Sequence, residues 1–258
     1  FAPNGLKGGR IRFSKISVGA TENLIIAASL AKGTTILSNC AIEPEIKDLV
    51  KFLNQMGCKI SWISKRTIKI IGVKDLNSAT YAVMFDRIEA GTYLIAGATM
   101  GDITLNNCNP KHLEDVINKL KLSGANIYSN ENSLSIEKID SIESVDITTE
   151  VYPGFPTDLQ AQWMAFMSVA KGKSTIIDTV YHDRFTHIPE LNRLGANIQL
   201  KDNKAIVDGV NKLKGAQVMS TDIRASAALI LGAIIAEGKT EISRVKTFLL
   251  FNGTLILG

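Results

Sequence analysis

Four segments of this sequence open alike, and that repeat limits the fold more than any other feature. They are Ser17-Val18-Gly19-Ala20-Thr21-Glu22-Asn23-Leu24, Asp86-Arg87-Ile88-Glu89-Ala90-Gly91-Thr92-Tyr93, Thr157-Asp158-Leu159-Gln160-Ala161-Gln162-Trp163-Met164 and Thr221-Asp222-Ile223-Arg224-Ala225-Ser226-Ala227-Ala228. Each continues as a short, almost wholly apolar stretch that reads as a helix ending at a glycine. Those glycines, Gly33, Gly101, Gly172 and Gly238, stand 68, 71 and 66 residues apart. A repeat must be read before single elements, because it defines the folding unit. After each glycine comes a β-branched strand, such as Thr34-Thr35-Ile36-Leu37 or Ser174-Thr175-Ile176-Ile177. An amphipathic helix follows and stops at Gly57, Gly124 or Gly195. Its apolar stripe is Ile46, Leu49, Val50 and Leu53 in the first copy and Leu113, Val116, Ile117 and Leu120 in the second. Pro44 and Pro110 fall in the first turn, where a missing N–H costs little, and the glycines supply left-handed caps.

Two strands close each copy, at 59–63 and 67–71, 126–128 and 133–136, and 197–200 and 205–207. A short strand ahead of the apolar helix, at 10–13, 82–85 and 217–219, makes the unit βαβαββ. The spacing predicts an α/β fold in which the first helix of each unit is buried on all sides and the second on one. Three copies are complete, and the fourth breaks off after Ile242, where Thr247-Phe248-Leu249-Leu250-Phe251 begins an apolar tail expected to expose apolar surface.

The 258 residues suffice for one or two domains with a packed core. An apolar fraction of 45% and a charged fraction of 21% exclude disordered, collagen-like and disulfide-scaffold classes. The net charge of +4 is too small and dispersed for nucleic acid but suits an anionic small molecule. The longest apolar run, 225–236, falls short of the roughly 18 residues of a membrane span. Cys40, Cys58 and Cys108 show neither metal spacing nor even pairing, which fits a reducing cytosol. The chain opens on Phe1 with no charged leader, so the expectation is a piece of a longer, non-secreted protein.

Fourteen residues before each terminal glycine stand Gly19, Arg87, Asp158 and Arg224. All four open apolar helices, where free N–H groups and the macrodipole favour anions. Two readings stay open: simple capping, for which Thr157 and Gln160 offer a T-x-x-Q box, or convergence on a phosphorylated ligand. Arg184 falls where the first two copies carry Ile46 and Leu113, and His187 replaces the next apolar position. An arginine on a core-facing stripe costs several kcal/mol unless it is paired or faces a cleft. Alternatively Tyr181-His182-Asp183-Arg184-Phe185 is a loop and the helix starts later. Both place Arg184 near Asp158. His182 and His187 share no helix face, so no metal site is predicted, and Walker or dinucleotide glycine loops are absent. Trp62 and Trp163 read as core residues.

The run Lys15-Ile16-Ser17-Val18-Gly19-Ala20-Thr21-Glu22-Asn23, with Gly33-Thr34-Thr35 and Glu43-Pro44-Glu45-Ile46, resembles the UDP-N-acetylglucosamine 1-carboxyvinyltransferases of the enolpyruvyl transferase family. Phe155-Pro156-Thr157-Asp158-Leu159-Gln160-Ala161-Gln162, Arg184-Phe185-Thr186-His187-Ile188-Pro189-Glu190-Leu191 and the run from Gly215 through Thr221-Asp222-Ile223-Arg224-Ala225-Ser226 extend the resemblance over residues 5 to about 244. It implies an inside-out α/β barrel built from βαβαββ repeats, incomplete here. Residues 1–84 would be the last unit of the nucleotide-side domain, and 85–258 two full units and a broken third of a second domain, with the active site in a cleft. The implied reaction transfers an enolpyruvyl group from phosphoenolpyruvate to the 3′-hydroxyl of UDP-N-acetylglucosamine. That step opens peptidoglycan precursor synthesis, and with it cell wall biogenesis, cell shape and cell division, in the cytoplasm.

The resemblance further implies that Lys15, Ser17, Val18 and Gly19 touch the uridine diphosphate and that Val180 contacts the nucleotide sugar. Asp158 would bind the sugar and take the 3′-hydroxyl proton, Arg184 would lie beside the reacting centre, and Asp222 would assist proton transfer with Arg224 nearby. A positioned carboxylate suits removal of an alcohol proton, and guanidinium groups suit the phosphate and carboxylate of phosphoenolpyruvate. No cofactor, metal, nucleic acid or membrane is implied. The chain also departs from the family pattern. The family's reactive loop cysteine, further arginines and Lys motif would precede Phe1, and a phosphoenolpyruvate-binding arginine would follow Ile242; none of the three cysteines takes the loop role. The expectations are therefore a chain truncated at both ends that turns over little alone, with the amino-terminal portion as a separate complementing chain. The alternatives are a non-catalytic remnant that binds nucleotide sugar, and the shikimate-pathway enolpyruvyl transferase, against which Ser17-Val18-Gly19-Ala20-Thr21 and Phe155-Pro156-Thr157-Asp158 argue.

Overall fold

The computed structural model describes residues 2–181, 183–244 and 255–257. His182 and the apolar segment 247–251 lie outside them, as does the exposure expected of that tail. The fold comprises two compact units, Phe1–Met84 and Phe85–Gly258.

In the first unit the order is β1 (Arg10–Arg12), α1 (Val18–Ser29), β2 (Thr34–Ser38), α2 (Pro44–Gln55), β3 (Lys59–Ser64) and β4 (Thr67–Ile71). The sheet order is β1-β2-β4-β3, with β1 parallel to β2 and the other pairs antiparallel. Ile25, Leu37, Ile46, Ile68 and Ile70 are fully buried at its centre. Pro44 opens α2, which buries Pro44, Ile46, Val50 and Leu53, so its stripe points inward as its periodicity requires. The first helix corrects the sequence reading. Only Thr21, Ile25, Ala28 and Ser29 of α1 are buried, while Ile26 stays 52% exposed. Trp62 packs on the rim of this core and is half-buried, not a core residue.

The second unit begins with α3 (Arg87–Met100), β5 (Ile103–Asn106), a 3-10 turn (Pro110–Leu113) leading into α4 (Glu114–Leu122), β6 (Ile127–Ser129) and β7 (Ser133–Ile136). Then come β8 (Ile147–Thr149), a 3-10 turn (Thr157–Leu159) leading into α5 (Gln160–Met167), β9 (Lys173–Asp178), α6 (Ile188–Arg193), β10 (Asn197–Lys201) and β11 (Lys204–Asp208). The remainder is β12 (Leu213–Lys214), β13 (Gln217–Met219), α7 (Ile223–Ile235), β14 (Ala236–Glu237), β15 (Thr240–Ser243) and β16 (Leu255–Leu257). The sheet β8-β9-β11-β10 reproduces β1-β2-β4-β3 in order and strand direction. Short sheets β5-β7-β6, β13-β15-β16 and β12-β14 complete the unit, and every sheet of the described residues is open.

Here too the sequence reading needs correction. Residues 82–85 form no strand, whereas β8, too short to show an alternation, supplies the leading strand of the third copy. The three apolar helices α3, α5 and α7 pack against one another. All eight residues of α5 are buried, with Trp163 edge-on to Phe155 and Phe166 at centroid distances of 5.4 and 5.3 Å. All seven glycines that mark helix ends have positive φ, from +88° at Gly238 to +159° at Gly101. A side chain there would strain the cap, so the glycine spacing reports the repeat. No helix of the described residues is long and apolar enough to cross a membrane.

Candidate active site at two helix ends

The 3-10 turn before α5 and the first turn of α7 meet through charge. Arg184 Nη1 donates to Asp158 Oδ1 at 2.9 Å and to Thr157 Oγ1 at 3.1 Å. Arg224 Nε, from the start of α7, donates to the same Asp158 oxygen. The Arg184 guanidinium lies over the Tyr181 ring at 4.0 Å, a cation–π contact that fixes its plane. Asp158 and Arg224 remain one-third exposed, so the cluster is reachable from solvent. Two guanidinium groups facing one carboxylate leave one positive charge in excess, beside helix N-termini that themselves favour anions. A groove of about 870 Å³ runs from Asp158 and Arg224 along the α3 and α7 faces, past Gln162, Tyr93, Ala227 and Ile234.

Asp222 borders the cluster. Its Oδ1 caps α7, accepting from the Arg224 and Ala225 N–H groups at 2.8 and 3.1 Å, and Thr186 Oγ1 donates to Oδ2 at 3.3 Å. Burial pushes its pKa up, but these hydrogen bonds and the nearby His187 outweigh burial and hold it below the usual carboxylate value. His187 itself is buried; desolvation lowers its pKa to about 4 against the opposing pull of Asp222, so the ring is neutral at pH 7.

Capping and convergence divide between the copies. Asp222 and Asp86 are true caps, and Ser17 caps α1 by accepting from Ala20 N–H at 3.3 Å. The T-x-x-Q box does not form: the Thr157 hydroxyl donates to Asp178 Oδ2 at 2.7 Å, and the buried Gln160 amide has no partner among the described residues. Of the four residues in phase, Asp158 and Arg224 meet. Arg87 instead lies over the Tyr152 ring at 5.7 Å, and Gly19 belongs to the first unit. Arg184 sits in a loop before α6, whose inward residues are Ile188 and Leu191, so the later helix start is the arrangement found.

In the first unit Lys15, Ser17 and Gly19 are exposed and Val18 half-buried around the α1 N-terminus. A Cβ added at Gly19 would meet nothing within 4 Å, which leaves the backbone N–H groups of that turn open. All three cysteines are buried, and burial raises the Cys40 thiol to about 11, far from a reactive thiolate.

Asp178, absent from the sequence-derived candidates, organises this site. It is fully buried and accepts from Thr149 Oγ1, Thr157 Oγ1 and the Val180 and Tyr181 N–H groups. Val180 is thereby tied beside the arginine loop. The available signal was the strand pattern: Ser174, Ile176 and Asp178 share the inward face of β9, where a carboxylate is out of place.

The family model described as "EPSP synthase (3-phosphoshikimate 1-carboxyvinyltransferase)" matches residues 2–249. A protein of Pelagibacter ubique (strain HTCC1062) named UDP-N-acetylglucosamine 1-carboxyvinyltransferase is 52% identical over 245 residues, 95% of this chain and 59% of the relative. One of the same name from Chlorobium chlorochromatii (strain CaD3) is 50% identical over 241 residues, 93% of this chain and 57% of that protein. The crystal structure of the enolpyruvyl transferase NikO from Streptomyces tendae is similar in fold, with a TM-score of 0.80 at 23% identity, covering 93% of this chain and 60% of that one. The chain thus spans about three-fifths of the length of the curated relatives it matches.

Proposed function

The chain belongs to the EPSP synthase family of carboxyvinyltransferases, and from that premise we propose that it serves the transfer of an enolpyruvyl group from phosphoenolpyruvate to the 3′-hydroxyl of UDP-N-acetylglucosamine. The observation that carries this is the Asp158 carboxylate held by Arg184 and Arg224 at two packed helix ends. The shared name of relatives near 50% identity supports the nucleotide sugar over a shikimate acceptor.

In this reading Asp158 takes the proton of the sugar hydroxyl, and the alcohol oxygen attacks C2 of phosphoenolpyruvate while C3 gains a proton. Loss of that C3 proton then expels phosphate and leaves the enol ether. Arg184 and Arg224 bind the incoming phosphate and carboxylate, for which their planar forks are suited, and in doing so release Asp158 to act as base. Asp222, held in its ionised form, serves as a proton acceptor, not a donor. Lys15, Ser17, Val18 and Gly19 receive the diphosphate at the α1 N-terminus, and Val180 receives the sugar nucleotide. We read residues 1–84 as the last unit of the nucleotide-side domain, 85–258 as the second domain, and α3, α5 and α7 as the inner helices of an inside-out barrel. The compartment is the cytoplasm and the product a peptidoglycan precursor, which places the chain in wall growth, cell shape and division.

The test is calorimetric titration of the 258-residue chain with UDP-N-acetylglucosamine and, separately, with shikimate 3-phosphate. Binding of the uridine ligand that is weakened at least tenfold in Arg224→Ala, with no heat from shikimate 3-phosphate, is the expected outcome. Preference for shikimate 3-phosphate would overturn the reading.

A further inference from the structure

A carboxylate that is fully buried without a paired cation demands that its lone pairs be used. Asp178 meets that demand through two hydroxyls and two N–H groups, drawn from three segments of the second unit. Thr149 of β8 donates to Oδ1 at 2.7 Å, as do Val180 and Tyr181 of the following loop at 2.9 and 2.8 Å, while Thr157 donates to Oδ2 at 2.7 Å. Isoleucine would fill such a strand position at no desolvation cost, so the carboxylate serves something other than packing.

The two oxygens divide the work. A threonine hydroxyl has one proton. With that proton committed to Asp178 Oδ2, Thr157 Oγ1 can only accept, and what it accepts is Arg184 Nη1 at 3.1 Å. The same nitrogen donates to Asp158 at 2.9 Å. Meanwhile Oδ1 holds the backbone of Tyr181, whose ring lies 4.0 Å beneath the same guanidinium. Apart from Asp158, both groups that orient Arg184 are therefore set by Asp178. We propose that Asp178 is the positioning residue of the site: it fixes the Thr157 hydroxyl and the Tyr181 ring so that Arg184 is presented beside Asp158.

The geometry of this relay stands independently of which anion binds; only the ligand used below rests on the function proposed above. Asp178→Asn keeps an oxygen for Thr149, Val180 and Tyr181 but turns the Thr157 contact into a donor, so the threonine proton must compete with Arg184. Thr157→Val removes the relay and leaves Asp178 its other three bonds. Thr157→Ser restores the hydroxyl. The direct readout is the nuclear magnetic resonance of the Arg184 side chain, shifted upfield by the Tyr181 ring in the native chain. That upfield shift is expected to be lost in Asp178→Asn and Thr157→Val and retained in Thr157→Ser. Affinity for UDP-N-acetylglucosamine should fall about tenfold in the first two, the size of one hydrogen bond to a charged group. If Asp178→Asn fails to fold, Thr157→Val carries the test alone. Arg184 resonances at their native positions in the folded variants would overturn the proposal. Resonances that move without any change in nucleotide-sugar affinity support the positioning role and count against the nucleotide-sugar reading instead.

Discussion

Helices α1 and α5 hold the same place in the repeat and are both largely apolar, yet their surroundings differ. Every residue of α5 is buried, including Gln160 and Gln162, whereas α1 buries four of its twelve. Apolarity states that a helix can be buried; it does not state on how many sides. The difference also sorts the chemistry. At the dry helix end, charges act in a medium of low dielectric, where the Asp158–Arg184–Arg224 contacts are stronger than in water. The α1 end offers open backbone N–H groups and the exposed Ser17 and Gly19, suited to approach by a phosphate and not to holding a base.

Substitutions can break this contrast, and the largest effect belongs to the aromatic centre of α5. Trp163→Ala should cost about 3–5 kcal/mol, because a fully buried ring is lost from between Phe155 and Phe166. Ile26→Ala on the exposed side of α1 should cost less than about 0.5 kcal/mol. Guanidinium titrations followed by circular dichroism give both numbers; equal costs would show that α1 is as enclosed as α5.

Acid sharpens the contrast next, since all three histidines lie in the second unit and none in the first. Desolvation holds His187 at about 4, below its ordinary value of 6.5, so the unfolded chain takes a proton that the folded chain refuses. Stability is therefore complete above about pH 6.5 and falls as the pH drops towards 4, by about 3 kcal/mol. His187→Gln should flatten that window in denaturation curves taken from pH 7 to 4.5. An unchanged slope would remove His187 as its source.

Glycines make a smaller test. A Cβ at Gly91 of α3 would lie 2.4 Å from Leu159 Cδ1, so Gly91→Ala should destabilise by about 1–3 kcal/mol. At Gly19 the same change meets open space and should stabilise α1 by up to about 1 kcal/mol while weakening the nucleotide sugar that is proposed to approach that turn. Melting curves with and without ligand separate the two effects.

What the sequence disclosed followed from local rules. The helix-ending glycines, Pro44 at a helix start and the inward stripe of α2 all show in the structure because each depends on neighbours within a turn. What it concealed depends on neighbours far along the chain. The exposure of Ile26 is set by what packs on α1, and the loss of the T-x-x-Q box by the distant Asp178, a stronger acceptor than Gln160 could compete with. Strand β8 is three residues long, too short for an alternation to be seen, and 82–85 has strand-like residues but no partner edge. The meeting of Asp158 with Arg184 was legible from either register of the loop, while its dependence on Asp178 was not.

The central claim is that two arginines guard a base until an anionic substrate draws them away. A crystal structure of the chain with UDP-N-acetylglucosamine and phosphoenolpyruvate tests it most directly. The account predicts Arg184 and Arg224 turned onto ligand phosphate or carboxylate oxygens and Asp158 within about 2.6–3.2 Å of the sugar 3′-hydroxyl. Ligands bound elsewhere, with both arginines still on Asp158, would contradict it.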